Sequence, residues 1–306
     1  MPSVLETLHS FDLATAAVSI WAFKKSSAPG RPVSFNGHWI GTTDALDDAI
    51  REAIDEARAG ITEEIEYGIL AQNNESSVLV LTTLETHAGL IIQKTIDETE
   101  ARKVSDLKHL RNATFYVLKL VNGEEIIYAV RKTDDSWISK RAGGQISAIF
   151  SDDELDLNLN PSFNISKYVD FFIVGDNILV RSKGAFESVL NYKQTHLEDF
   201  SALQSEPEFI NVFSSTAPIV QYVGDNKIQL RRASAIREKA HYRNPDFMSN
   251  LRSMGGQYGL NIQFGLDGKI NPTPETCPDI FRALLDHRLT SPFSRGIYNV
   301  EDASNI

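Results

Sequence analysis

Apolar runs separated by polar turns predict mixed α and β structure over the first part of the chain. AVSIWAFKK (17–25) and VLVLTTLE (78–85) have the composition of strands. Between them, residues 45–60 have helical spacing, acids in the first turn and Gly60 as a stop, with Thr42 or Thr43 as the N-cap. A second helical pattern covers residues 89–104.

Hairpin signals follow. The segment FYVLKLVNGEEIIYAVRK (115–132) contains two β-rich runs around Asn122-Gly123, a pair typical of a type I′ turn with positive φ at both central residues. Residues 169–183 repeat this form around Gly175, and residues 146–160 predict a further strand with an acidic edge. Residues 113–183 are therefore expected to form the heart of an antiparallel sheet.

Helical patterns dominate after Gly184. They cover residues 185–204, 245–254 with Pro245 at the first helical position, and 277–289. A third hairpin is predicted over 260–273, and a closing strand over 296–300. The predicted fold class is α+β, with a largely antiparallel, hairpin-built sheet, an N-terminal α/β region and a helix-rich C-terminal region. We place the domain boundary at 183, giving domains 1–183 and 184–306.

The composition adds limits on the class of protein. Forty-two per cent of the residues are hydrophobic, enough for a substantial core, and the single cysteine, Cys277, excludes an internal disulfide framework or a cysteine-based zinc site. No secretory signal and no apolar stretch of about 18–20 residues is apparent. These features predict a cytoplasmic protein.

Motifs for catalysis are missing. The seven histidines include no pair four residues apart, and neither a phosphate-binding loop nor a serine nucleophile elbow is present. Gly-rich GGQYG (255–259) is interpreted as a helix end, and Cys277 as a structural residue. We therefore predict no catalytic residue, no cofactor and no metal. One alternative remains open, in which Asp152, Asp153, Glu154 and Asp156 hold Mg²⁺ in a nuclease or other hydrolase rather than forming a solvated strand edge.

The distribution of positive charge gives the main functional clue. Residues 227–252 contain seven lysines and arginines against Glu238 and Asp246, a local charge of +5 in a chain whose net charge is −11. If 227–243 is one helix, Arg232, Lys239 and Arg243 lie within about 40° of each other on one side. Ala233, Ile236 and Ala240 form an apolar stripe on another.

Such a row of cations suits contact with the phosphate backbone of a nucleic acid. The alternative is a surface helix whose arginines pair with acids elsewhere. A second, weaker cluster surrounds Trp137 in RKTDDSWISKRAGG, although Asp134 and Asp135 lie within it and an ordinary loop explains it as well. The predicted DNA-binding residues are Lys227, Arg231, Arg232, Arg237, Lys239, Arg243 and Arg252, with Lys132, Lys140 and Arg141 from the second cluster.

Three segments resemble the KwaB family, the cytosolic subunits of the bacterial Kiwa anti-phage defence system. They are FYVLKLVNGEEIIYAVRK at 115–132, KIQLRRASAIREKAHYRNPDF at 227–247 and FGLDGKINPTPETCPDIFRALLDHRLTSPFSRGIYNV at 264–300. The resemblance implies a protein that binds DNA and impedes phage replication and late gene expression. It also implies self-association and recruitment to the inner membrane by a membrane-embedded partner, KwaA. Three hypotheses follow: a DNA-binding effector, a metal-dependent hydrolase, and an adaptor without a nucleic-acid role.

Overall fold

A computed structural model describes residues 3–27, 32–82, 84–135, 137–138, 148–151, 154–157 and 162–300. The chain divides into two compact units. The first contains Met1–Glu66 and Asn73–Leu190, and the second contains Tyr67–Gln72 and Asn191–Ile306. The α+β fold class is confirmed. A domain boundary at residue 183 stays a prediction.

The first unit is built on an eight-stranded sheet with helices around it. Its elements are α1 (Val4–Ser10), β1 (Ala17–Ser26), β2 (Ser34–Ile40), α2 (Asp44–Ala59), β3 (Glu63–Glu66), β4 (Ser77–Leu81), α3 (Thr86–Lys94), a 3₁₀ turn (Glu100–Arg102), α4 (Leu107–Arg111), β5 (Phe115–Asn122), β6 (Glu125–Lys132), β7 (Ala148–Ser151), β8 (Glu154–Leu157), β9 (Phe171–Val174), β10 (Asn177–Val180) and α5 (Lys183–Val189). The strand order is β2-β1-β5-β6-β9-β10-β4-β3, and neighbours are antiparallel except β3 and β4.

The core of this unit depends on close ring packing between neighbouring strands. Phe23 of β1 and Phe115 of β5 stack with centroids 4.9 Å apart. Gly37 of β2 lies against the Phe23 ring of this stack, where a Cβ would come within 2.5 Å of a ring carbon. Only glycine therefore allows β2 to approach this stack.

Most predicted elements of the first unit are confirmed, including the strands that begin at 17 and 78, the helix over 45–60 and both hairpins. The first turn differs from the prediction. Asn122 pairs with Glu125, so the central residues are Gly123 and Glu124, and only Gly123 has positive φ. That matches a type II′ turn rather than type I′.

Two other predictions are corrected. The helix expected over 89–104 ends at Lys94. Within the acidic segment 146–160, the described strands β7 and β8 pair with each other as a separate two-stranded sheet and not with the large sheet. An alternating pattern predicts a strand but does not indicate its partner. Here the two strands that are neighbours in sequence pair with each other.

The second unit is mainly helical. Its elements are α6 (Tyr192–Leu203), α7 (Pro207–Asn211), α8 (Ala217–Val223), α9 (Lys227–Lys239), a 3₁₀ turn (His241–Arg243), α10 (Pro245–Met254), a second 3₁₀ turn (Gly255–Tyr258), α11 (Cys277–Leu284), β11 (Arg288–Thr290) and β12 (Ile297–Asn299). α6, α9 and α11 contribute buried side chains to one hydrophobic core. β11 pairs with β12, which confirms the closing strand.

Backbone geometry corrects the predicted lengths of two helices. The helical run 185–204 is interrupted at Asn191, whose φ is 63°. The helix expected over 227–243 ends at Lys239, because Ala240 adopts a left-handed conformation with φ 49°. The third hairpin is reduced to a turn at Gly268 with a single bridge between Phe264 and Ile270.

In the part of the chain that the structure describes, no helix combines the length and the apolar character needed to cross a membrane.

Candidate nucleic-acid interface

Helix α9 carries most of the predicted cations and is fixed along one side. Its first turn is capped by Asn226, whose side chain accepts hydrogen bonds from the backbone of Ile228 and Gln229 at 2.9 and 3.3 Å. Leu230, Ala233 and Ile236 are fully buried. Two of the three residues of the predicted apolar stripe, Ala233 and Ile236, are therefore confirmed, while Ala240 lies past the end of the helix. Together with Leu230 they hold the helix in the core of the second unit.

Two of the predicted contact residues, Arg237 and Arg243, form ion pairs within the protein. Arg237 lies 2.7 Å from Asp199 and 3.0 Å from Glu206, and Arg243 lies 2.7 Å from the other oxygen of Glu206. The hydroxyl of buried Tyr242 also donates to Glu206. These two arginines therefore follow the alternative interpretation of the basic segment, in which its arginines pair with acids elsewhere in the chain.

The protonation equilibria agree with this pairing. Burial opposes ionisation of Glu206, but hydrogen bonds from Tyr242, Arg243 and Arg237 outweigh it, and the pKa of Glu206 is lowered. Burial, followed by the charge and hydrogen bond of Glu206, raises the pKa of Tyr242 to about 12. Glu206 therefore stays charged and Tyr242 neutral at pH 7.

The surroundings of this cluster are unfavourable for a phosphate group. A cavity of about 430 Å³ is lined by Arg237 and Arg243, but also by Asp199, Glu206 and Glu238. Three carboxylates face two guanidinium groups, so an incoming anion meets a net negative wall. This cluster therefore offers no excess of positive charge to a phosphate.

Other cations of the segment are not neutralised in this way. Lys227 is exposed, and no ion pair joins it to any described residue. Arg252 is also exposed and donates to the carbonyl of Gly268 at 3.0 Å, while Lys239 donates to the carbonyl of Leu285 at 3.3 Å. Since a carbonyl carries no formal charge, the positive charges of Arg252 and Lys239 are not neutralised by these hydrogen bonds.

Arg231 and Arg232 are the remaining two cations of α9. Both are partly buried, and Arg232 lies within hydrogen-bonding reach of Tyr222. Arg243, predicted to continue the row formed by Arg232 and Lys239, lies beyond the end of the helix. The three-residue row is therefore replaced by Arg232 and Lys239 on α9.

In the second predicted cluster, the aromatic residue Trp137 is not at the surface. Trp137 is only 5 % exposed, stacks on Tyr116 at 4.8 Å and donates its indole N–H to the carbonyl of Leu110 at 2.9 Å. It is a core residue and is not exposed to stack on a base. Lys132 is exposed at the end of β6. Lys140 and Arg141 lie outside the described residues.

The metal hypothesis gains no support from the described residues. Asp152 and Asp153 lie outside them, and Glu154 and Asp156 occupy alternate positions of β8. Among the described histidines, cysteines and acids, no group of three is placed to hold a metal ion. Cys277 is buried, and burial raises the pKa of its thiol, which is consistent with a structural role.

The basic segment is apparent from the sequence, but the acids that pair with it are not. Asp199 and Glu206 are 38 and 31 positions from Arg237. No local spacing pattern connects residues so far apart, because Asp199 belongs to α6 and Glu206 precedes α7, and both meet Arg237 of α9 only through tertiary packing.

Comparison with known proteins identifies a family whose model matches this chain. Residues 110–294, more than half of the chain, match the family model described as Kiwa protein KwaB-like. Searches of the curated proteins and of the solved structures gave no match. The matched range includes β5 and β6, the whole of α9 and α11, and the hairpin strand β11.

Proposed function

This chain belongs to the KwaB-like family of Kiwa proteins, and we propose that it is an antiviral defence effector that binds DNA without sequence specificity. Family membership indicates a component of the Kiwa defence system. In the proposed function, the protein occupies phage DNA and thereby impedes its replication and transcription. It works as a homo-oligomer that the membrane-embedded partner KwaA recruits to the inner membrane.

The observation that carries the proposal is a group of cations that keep their charge. Lys227, Lys239 and Arg252 fall within the segment of local charge +5, and within the described residues none of the three pairs with a carboxylate. Lys and Arg that contact phosphate release condensed counterions, and affinity then depends on salt but little on sequence. We assign the contact to these three residues with Arg231 and Arg232, and leave Arg237 and Arg243 out of it.

The net charge of −11 does not oppose this assignment. Charges separated by more than about 8–10 Å are largely screened at physiological salt. A phosphate at the surface of the second unit is therefore governed by the charges close to it. Lys132, in the first unit, is a further candidate contact.

A charge-removal experiment tests the proposal. The variant Lys227→Gln/Arg252→Gln removes two exposed positive charges, and its affinity for duplex DNA is measured at several salt concentrations by fluorescence anisotropy. Each lost phosphate contact reduces the steepness of log K against log salt by about one. We expect the double variant to bind more weakly and to lose about two from the slope.

The matched control is Lys24→Gln/Lys193→Gln, which also removes two charges from exposed side chains outside the segment. We expect this control to bind like the wild type. Equal weakening of both variants would mean that only total charge matters. An unchanged slope in Lys227→Gln/Arg252→Gln would remove the segment as the contact.

A further inference from the structure

Three neighbouring strands of the first unit bring two arginines and an aspartate to one place. Val130 of β6 pairs with Phe171 of β9, and Phe171 pairs with Val180 of β10. One position further along, Asp170 donates its N–H to the carbonyl of Val130 at 3.0 Å and accepts from the N–H of Arg181 at 2.9 Å. Arg131, Asp170 and Arg181 therefore continue the same register across the sheet.

The aspartate fixes one of the two arginines. The Asp170 carboxylate is fully buried and accepts from the Arg131 guanidinium at 2.7 Å and from the backbone N–H of Lys132 at 2.7 Å. Burial raises its pKa, while these two donors favour the charged form. Arg181 is held separately, by a hydrogen bond to the carbonyl of Ala57 at 3.2 Å. Both guanidinium groups are positioned by the protein itself.

An exposed aromatic ring lies against these two groups. The guanidinium carbon of Arg131 is 5.1 Å from the centroid of the Tyr168 ring, and that of Arg181 is 4.8 Å from it. Both distances are within the range of cation–π contact. Tyr168 is nevertheless 39 % exposed, whereas most aromatic side chains of this unit are buried. Exposed Lys132 and Lys167 lie next to Arg131 and Tyr168 in the chain.

We propose that Tyr168, Arg131 and Arg181 form a stacking site for an unpaired base of a single-stranded nucleic acid. Aromatic rings and guanidinium planes stack on bases of any sequence, and neighbouring cations follow the backbone. Lys132 and Lys167 supply the phosphate contacts, with Lys167 exchanging its exposed ion pair to Glu56 for phosphate. A base inside a duplex is covered on both faces and cannot enter the site.

This inference rests on the proposed function and adds a preference for unpaired bases to it. It also replaces Trp137 with Tyr168 as the aromatic residue of the second cluster. The sequence indicated Trp137 between the cations, but this residue is buried, and Tyr168 is the exposed ring beside Arg131. The ring and the two arginines are separated in sequence and meet only through the pairing of β6, β9 and β10.

The test compares three ligands of equal length: a single strand of thymidines, the same strand with abasic residues, and a duplex. Fluorescence anisotropy gives each affinity for the wild type, Tyr168→Ala and Tyr168→Phe. Base–aromatic stacking contributes to the binding affinity, and its loss in Tyr168→Ala is expected to lower the affinity for the thymidine strand by about 5- to 150-fold. Tyr168→Phe retains the ring and is expected to stay within about twofold of the wild type. The duplex and abasic affinities should hardly change in either variant.

Tyr298→Ala is the matched control, because Tyr298 is also an exposed tyrosine, 50 % accessible, in the second unit. It should leave all three affinities unchanged. Unchanged affinity of Tyr168→Ala for the thymidine strand, or equal binding of abasic and thymidine strands by the wild type, would overturn the stacking site while leaving duplex binding intact. A wild-type protein that binds none of the three ligands would instead overturn the proposed function itself.

Discussion

At the scale of single residues, the charge that a ligand meets depends on partners distant in sequence. Arg237 and Arg243 share Glu206, whereas Lys239 and Arg252 donate to backbone carbonyls. In the sequence alone, these four residues belong to one uniform basic segment. The segment was predictable from local composition, but the subset that keeps its charge was not, because the pairing acids, Asp199 and Glu206, lie 31 to 38 positions away in the chain.

Glu206 should be a stabilising residue of the second unit. It is 17 % exposed at its side chain and accepts hydrogen bonds from Tyr242, Arg237 and Arg243. Replacing it with alanine leaves a buried hydroxyl without its acceptor and two cations without their shared carboxylate. We expect Glu206→Ala to lower the free energy of unfolding by about 1–3 kcal/mol.

Chemical denaturation measures this change. The control is Glu208→Ala, which removes an exposed carboxylate two positions further along the chain. Its expected effect is within about 0.5 kcal/mol of the wild type. If the two variants were equally stable, Glu206 would be an ordinary surface acid.

Two histidines that lie far apart in the sequence meet in the first unit. His38 of β2 and His109 of α4 stack with ring centroids 3.9 Å apart and an angle of 12° between the planes. Burial, then the neighbouring His109 and Arg102, lowers the pKa of His38 below its ordinary value of 6.5. The neutral form of His38 is therefore the one that the fold accommodates.

This arrangement predicts lower stability in mild acid. In the unfolded chain His38 takes up a proton near pH 6.5, whereas in the folded protein it does so only at lower pH. Stability is therefore retained above about pH 6.5 and falls as the pH decreases below that value. Thermal unfolding between pH 8 and 5 should show a smaller decrease for His38→Gln than for the wild type. The same decrease in both proteins would contradict a role for the pair, and the exposed His9→Gln variant provides the reference.

At the scale of elements, α9 ends at the left-handed conformation of Ala240, which the periodicity of the sequence does not indicate. Helical spacing continues through 243, and alanine is a strong helix former, so the sequence favoured one long helix. The structure instead stops the helix at Ala240 and begins α10 after Asn244, whose side chain caps Asp246 and Phe247. Asn244 before Pro245 was the available signal, but it locates the next helix rather than the end of the previous one.

Ala240 provides a direct test of this end. A residue with a Cβ is strained at φ 49°, where glycine is not. We expect Ala240→Gly to raise the free energy of unfolding by about 0.5–1 kcal/mol. Ala53→Gly, in the middle of α2, should lower it by a similar amount, because glycine is unfavourable within a helix. Destabilisation by both substitutions in thermal or chemical unfolding would indicate that the helix continues through residue 240.

Local elements were predicted better than their arrangement in the sheet. The hairpins β5–β6 and β9–β10 followed from alternating strands around glycine turns. The pairing of β10 with β4, and the parallel pairing of β3 with β4, join segments about 100 and 14 positions apart and have no turn signal. The order of strands is determined by packing across the core, which a linear pattern of hydrophobic residues does not record.

At the scale of the whole molecule, an acidic chain carries separate positively charged features in its two units. The second unit has the cations of α9 and α10, and the first has Arg181 and Lys132 near Tyr168, where Arg131 pairs with Asp170. The KwaB-like match covers both features, since it extends from 110 to 294. Non-specific DNA binding by a defence effector requires only such local charge, and no catalytic group.

The most direct test of this account is the salt dependence of duplex binding by the wild-type protein. Affinity is measured from about 50 to 200 mM salt on two duplexes of equal length and unrelated sequence, since log K should fall linearly with log salt when phosphates are contacted. For the five assigned contacts we expect a slope of about −4.5, the same for both sequences. No binding at the lowest salt, or an affinity that is insensitive to salt, would contradict the proposal that this protein acts through the phosphate backbone of DNA.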